Sequence, residues 1–380
     1  MLHPLTHLGD ISVEQFLAEY WQQKPLLIRQ AFPSFTSPVT PEELAGFALE
    51  EGIESRLVLE QPTANPLLSH WQVEQGPLPE TRFAQLPESH WTLLVQAVDQ
   101  LVPDVGNLLD RFRFISNWRL DDVMVSYAAD QGGVGPHFDY YDVFLLQAQG
   151  KRRWRLGQRC DSHSTLRNDT AMKILTQFDQ QEDYLLEPGD MLYIPPNLAH
   201  WGTAEGACMT YSMGFRAPSH SELLLDLSEE VASHLTSDQR YSDSGLTQAA
   251  HPGAISPDAV ERVRKIVSEL MADPTHIAQW LASYGTRARR SVPELDEPGL
   301  PDATSASVAL SLKHRIRSAY VVTKGDAALL YLDGSSSPCS LALAQALSGY
   351  QTFRREEFTE ATDRELVDEL VANQWLLHHQ

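Results

Sequence analysis

Residues 132–156 read GGVGPHFDYYDVFLLQAQGKRRWRL, and residues 186–202 read LEPGDMLYIPPNLAHWG. In both, a Gly- or Pro-rich turn hands over to a short apolar run, the signature of strands bounded by turns. The first string predicts a strand over Phe138–Gln147, a turn at Gln149-Gly150 and a second strand over Arg152–Leu156. Side chains two apart on a strand share a face, so His137 and Asp139 are expected side by side. In the second string Pro188-Gly189 turns into a strand over Met191–Ile194, Pro195-Pro196 ends it, and His200 follows. Period-two runs at Asp121–Tyr127 and Met209–Phe215, with a turn at Gln131-Gly132-Gly133, complete a set that predicts an antiparallel sandwich or barrel.

Toward the N-terminus, Val13, Phe16, Leu17 and Tyr20 form a helical stripe, Leu26–Ile28 reads as a short strand, and His90–Leu101 reads as a helix. After Pro218 the pattern turns helical, with one face made by Leu223, Leu224, Leu227, Val231 and Leu235. A second comprises Val260, Val263, Ile266, Val267, Leu270 and Met271, and a third Ile277, Trp280 and Leu281. Three such helices suit a lid or a dimer interface, and the sequence does not choose. Residues 291–307 carry four acidic residues and three prolines, which reads as a linker. Strands at Ala319–Thr323 and Ala327–Leu332 around a Lys324-Gly325-Asp326 turn follow, with helices near Ser340–Leu347 and Asp363–Val371. The expected fold class is α+β, with boundaries at 1–217, 218–290, 291–307 and 308–380.

The 380 residues suffice for two or three domains, and 29 basic against 51 acidic residues leave a net charge of −22. That balance argues against nucleic-acid binding, which needs a basic footprint. It would suit encounter with a basic protein, but such a balance more often simply keeps a protein soluble. Arg287, Arg289 and Arg290, with Lys313, Arg315 and Arg317, form the basic clusters of the C-terminal portion, and solvation can account for both. Cys160, Cys208 and Cys339 lie far apart in no CxxC spacing, which fits a reducing compartment. No secretory signal is expected at MLHPLTHLGDISVEQFL, and no apolar run approaches the ~20 residues of a membrane helix. A cytoplasmic protein without a membrane role is expected.

A lone histidine at a strand end is usually a structural one, and a His-x-Asp occurs by chance in a chain of this length. Within these two strings, however, His137, Asp139 and His200 make two imidazoles and a carboxylate on facing strands. That set holds iron(II) from one side and leaves the other open, whereas a structural zinc takes four protein ligands.

HFD paired with LEPGDMLYIPPNLAH, with GKRRWRL between them, resembles the Jumonji C-type cupin oxygenases. FLAEYWQQKPLLIRQAF (16–32), DDVMVSYAADQGGVGPHFDYYDVF (121–144) and TYSMGFR (210–216) narrow the resemblance to the ribosomal oxygenases. Bacterial members of that family hydroxylate an arginine of a large-subunit ribosomal protein. The resemblance implies a double-stranded β-helix, a helical dimerisation segment and a winged-helix-like C-terminal domain. It also implies iron(II), 2-oxoglutarate and dioxygen, with His137, Asp139 and His200 as metal ligands and a homodimer as the assembly.

Alternation in the basic run puts Arg152, Trp154 and Leu156 on one face and Lys151, Arg153 and Arg155 on the other. The face with the large apolar residues should point inward. Arg152 is therefore the expected partner of the far carboxylate of 2-oxoglutarate, a role its planar fork suits, and it matches the family's cosubstrate arginine. Asp122, Met124 and Ser126 share a face of the preceding strand, from which Ser126 is expected to assist Arg152. Asp122, Tyr141 and Ser212 match positions that hold the substrate guanidinium in arginine-hydroxylating members, with Met124 between them. Asp122 reads equally well as a surface charge. Histidine hydroxylation, methyl-lysine demethylation and an inactive cupin that only binds ribosomal protein remain as alternatives.

Overall fold

The computed structural model describes residues 3–248, 251–290, 292–293 and 308–379. Its dominant sheet has nine strands: β1 (Leu26–Ile28), β2 (Ser55–Gln61), β3 (His70–Gln75), β4 (Trp91–Val95), β5 (Leu120–Ala128), β6 (Val143–Arg159), β7 (Glu182–Leu186), β8 (Met191–Ile194) and β9 (Leu198–Phe215). Every pairing is antiparallel, in the order β1-β8-β6-β9-β5-β4-β2-β3, with β7 also on β6. β6 and β9, of 17 and 18 residues, each serve two layers. The halves near Val143 and Phe215 pair with each other and with β8 and β5. The halves near Arg159 and Leu198 pair with each other and with β7.

The bend in β6 falls at Gly150. Its φ is +64°, and a Cβ there would lie 2.1 Å from the Ala207 carbonyl oxygen, so only glycine fits. The expected Gln149-Gly150 turn is thus a bend inside one continuous strand, because the register with β9 slips there and the chain does not reverse. The strand expected from Phe138 begins only at Val143. The Asp142 carboxylate accepts hydrogen bonds from the Tyr193 hydroxyl (2.6 Å), the Gln22 amide (3.0 Å) and Arg119 (3.1 Å), which hold residues ahead of it outside the ladder. His90–Leu101, expected as a helix, is β4 followed by a short helix at Val98–Leu101. WTLLV slots between β2 and β5, and so short an apolar run carries no period that separates helix from strand.

Alternation along the strands sorts the two faces. Val123, Val125, Phe144, Leu146, Tyr193, Met209, Tyr211, Met213 and Phe215 pack with Phe16 and Phe112 in the largest apolar core. The intervening residues of β5, Asp122, Met124 and Ser126, take the opposite face, as Thr210 and Ser212 do on β9. Those residues, with Arg152 and Trp154, surround the barrel interior, so polar groups sit where a cofactor would enter.

Three helices follow as their apolar periodicity predicts: α1 (His220–Ser233), α2 (Pro257–Leu270) and α3 (Pro274–Thr286). The expected linker at 291–307 lies, apart from Val292 and Pro293, outside the described residues. The C-terminal module has two three-stranded sheets and the helices α4 (Leu341–Ser348) and α5 (Ala361–Ala372). The hairpin Ser318–Val322/Ala327–Leu332 and both helices match expectation, whereas the strands Ala309–Leu312, Ser335–Ser340 and Leu376–His379 carried no distinct pattern.

The basic clusters are ion-paired, the first at a partly exposed surface and the second largely buried. Arg287 pairs with Asp226 at 2.6 Å, Arg289 with Asp121 at 3.8 Å, and Arg290 with Glu54 at 2.8 Å. Lys313 and Arg317 are buried, and Arg317 donates to Asp99 at 2.8 Å, fastening the C-terminal module to the barrel. Asp99 is fully buried, so Arg317→Ala would strand a carboxylate away from water. It is expected to lower the unfolding free energy by about 3–5 kcal/mol, read from urea denaturation followed by tryptophan fluorescence.

Candidate active site

His137 and His200 face each other across an isolated antiparallel bridge. The His137 N–H donates to the His200 carbonyl (3.0 Å), and the His200 N–H donates back (2.8 Å). This pairing brings the imidazoles to a ring-centroid separation of 4.2 Å. Asp139 lies in the loop after His137, where its carbonyl accepts from the Asn197 N–H at 2.7 Å. The second Pro-rich string therefore anchors the first.

Each imidazole uses Nδ1 on a backbone carbonyl, His137 on Gly135 (3.0 Å) and His200 on Leu198 (2.9 Å). With Nδ1 as donor, Nε2 is left with a lone pair. Both Nε2 atoms approach Asp139 Oδ2, at 3.9 Å from His137 and 3.6 Å from His200. Burial, reinforced by His137, lowers the pKa of His200 to about 4, so it is neutral and able to ligate at neutral pH. One ligand atom from each residue lies within 4.8 Å of the others. Two neutral imidazoles and a carboxylate are the donor set that suits iron(II) with open positions.

Arg152 is 3% exposed. Its Nη1 donates to Ser126 Oγ at 3.4 Å, its Nε has no partner, and no carboxylate among the described residues pairs with it. Burial lowers its pKa from the ordinary value, the response of a cation without a counter-charge. Trp154 Nε1 is likewise buried and unpartnered. A Cβ at Gly202 would stand 2.7 Å from the Trp154 ring and 2.8 Å from Arg152 Nε, so glycine keeps this cradle open. A dicarboxylate fits these orphaned groups.

The other residues expected at the site divide by surroundings. Ser212 lies opposite Met124 in the β9–β5 register, on the interior face. Tyr141 exposes part of its ring, yet its phenol is raised well above the ordinary value, first by the Asp139 carboxylate and then by burial. Asp122 is buried, not a surface charge. Its Oδ2 accepts from the Ala97 N–H (2.9 Å) and Arg290 Nη1 (3.2 Å). Burial raises its pKa to about 7 against the opposing pull of Arg290. Gln96, oriented to satisfy both neighbours, donates to Asp122 at 3.3 Å and accepts from Arg56 at 3.1 Å. Sequence reasoning missed Gln96, Arg56 and Arg290 here. They come from distant segments, and no local spacing marks them.

An ion site that is closed on one side, beside a buried cation that has no anion, is built for a keto acid that chelates through one end and is clamped at the other. Such a site on a cupin barrel defines a 2-oxoglutarate-dependent oxygenase. The family model of the JmjC domain matches residues 107–223, which span the triad and Arg152. The chain is 37% identical over 277 residues to the ribosomal protein uL16 3-hydroxylase of Escherichia coli, covering 73% of this chain and 72% of that one. It is 34% identical over 302 residues to a probable ribosomal oxygenase of Haemophilus influenzae, covering 77% and 73%. A solved structure of YcfD, a ribosomal oxygenase from Escherichia coli, in complex with cobalt and 2-oxoglutarate superposes with a TM-score of 0.82. The two are 32% identical over 98% of this chain and 99% of that one. The chain belongs to the JmjC ribosomal oxygenase family.

Proposed function

We propose that this protein hydroxylates C3 of one arginine in large-subunit ribosomal protein uL16. In this reading His137, Asp139 and His200 hold iron(II), and Arg152, aided by Ser126, clamps the far carboxylate of 2-oxoglutarate. Asp122 receives the substrate guanidinium, with Met124, Tyr141 and Ser212 around it. When bound, iron(II) would let dioxygen oxidise two partners at once, one oxygen atom entering the substrate C–H bond and the other entering 2-oxoglutarate, which leaves as succinate and carbon dioxide. The chain's own residues orient the arginine, exclude water and fix the cosubstrate. The observation that carries an arginine target is Asp122, a buried carboxylate on the interior face of the strand that also bears Ser126. Asp122 Oδ2 already accepts from Arg290, and Asp122 Oδ1 would receive the substrate guanidinium. A net charge of −22 favours encounter with a basic ribosomal protein.

The same reading takes 1–217 as the catalytic domain, 218–290 as a dimerisation segment, 291–307 as a linker and 308–380 as a winged-helix-like domain. Exposed Leu224 and Leu225 on α1, with Val260, Val263, Ile266 and Val267 on α2, support a homodimer. A cytoplasmic location follows from the substrate. No nucleic-acid or membrane contact is assigned, and among the described residues no helix is long and apolar enough to cross a membrane.

The test is mass spectrometry of large-subunit proteins incubated with the enzyme, iron(II), ascorbate and 2-oxoglutarate, with His137→Ala as control. One added oxygen on a single uL16 arginine, absent from the control, is the expected outcome. Succinate formation with uL16 unmodified would refute the substrate. The protonation of Asp122 adds a pH signature, since the carboxylate is charged above about 7 and neutral below. From pH 6 to 8 the KM for an arginine-bearing peptide should fall roughly tenfold, the change in ionised fraction. Asp122→Asn should raise KM and flatten its pH profile.

A further inference from the structure

Beyond the oxygenase site, we infer that Glu230, His234 and His276 form a second binding site for a zinc-class divalent cation, which clips α1 to α3. Glu230 and His234 lie four residues apart at the C-terminal end of α1, and His234 Nε2 is 3.0 Å from Glu230 Oε1. His276 lies in the first turn of α3, with its ring 5.5 Å from that of His234. One ligand atom from each of the three residues lies within 4.8 Å of the others. The arrangement spans two helices, so it depends on how they are held together.

That seam is fastened independently. Asp226, one turn before Glu230, accepts from Trp280 Nε1 at 2.7 Å and from Arg287 Nη1 at 2.6 Å. Trp280 is itself one turn beyond His276, so the fastened pair and the three ligands lie along one line of contact between the helices. Pre-positioned ligands reduce the ordering cost of binding an ion. Two imidazoles and one carboxylate select borderline ions such as zinc over magnesium or calcium, which want oxygen donors. His234 is well exposed, leaving room for water as the fourth ligand.

The test counts zinc bound to the full chain by equilibrium dialysis and elemental analysis at about 10 μM free zinc, tenfold above a roughly micromolar Kd. The oxygenase triad is expected to take zinc as well, so the counts are made on wild type and on the His137→Ala/His200→Ala variant. Two equivalents on wild type and one on the triad variant are expected. Adding His234→Ala or His276→Ala to the triad variant should remove that last equivalent, with the far-ultraviolet circular dichroism unchanged. No zinc on the triad variant, or zinc that survives both added substitutions, would overturn the site. Magnesium at the same concentration should not bind.

Discussion

His200→Ala is expected to abolish metal retention and to lower 2-oxoglutarate turnover by about a thousandfold or more, measured as succinate formed and iron bound per chain. Changes that only disturb the partners of a metal ligand already cost about 10–100-fold, and removing the ligand costs more. Among the described residues no other His, Cys, Asp or Glu groups with His137 and Asp139. The backbone pairing of residue 200 with His137 survives in alanine, so the barrel should still close and circular dichroism should match wild type. His200 is kept neutral by burial, whereas an exposed imidazole would be partly protonated at pH 6. Metal binding should therefore not weaken through protonation of this residue between pH 8 and 6. Turnover within tenfold of wild type would remove His200 from the site.

Arg152→Met is expected to act in opposite directions on cosubstrate binding and on stability. It removes a buried cation with no counter-charge, so the protein without 2-oxoglutarate should become more stable by roughly 1–3 kcal/mol. The same change deletes a charge-assisted, forked contact to a carboxylate and should raise the KM for 2-oxoglutarate roughly a hundredfold. Arg152→Lys should fall between, since lysine keeps the charge and loses the fork. Thermal melts with and without 2-oxoglutarate, alongside the KM, separate the alternatives. An arginine that only supported the fold would lose stability and leave the KM unmoved.

Much of the barrel was legible because strands of an antiparallel sheet with one apolar face declare their period. Asp121–Tyr127, Met191–Ile194 and Met209–Phe215 all read correctly, and so did the faces of Arg152 and Asp122. Errors fell where local pattern is silent. WTLLV is too short to show a period, Gly150 marks a bend as readily as a turn, and the residues before Val143 are held off the ladder by Asp142 contacts from Gln22, Arg119 and Tyr193. Strand alternation puts His137 beside Asp139, whereas the structure positions them outside any strand, through the His137–His200 bridge and the Asn197 contact to Asp139.

Residue order by itself determined which groups face the barrel interior and which chemistry they offer, because strand alternation and donor type are local properties. Tertiary structure alone decided their charge states and partners. Burial keeps His200 neutral, leaves Arg152 without an anion and raises Asp122 to a pKa of about 7 beside Arg290. It also turned Arg317 from an apparent surface cation into the buried partner of Asp99. Solvent exclusion and the approach of segments distant in sequence set these properties, and neither is encoded in any short stretch of chain.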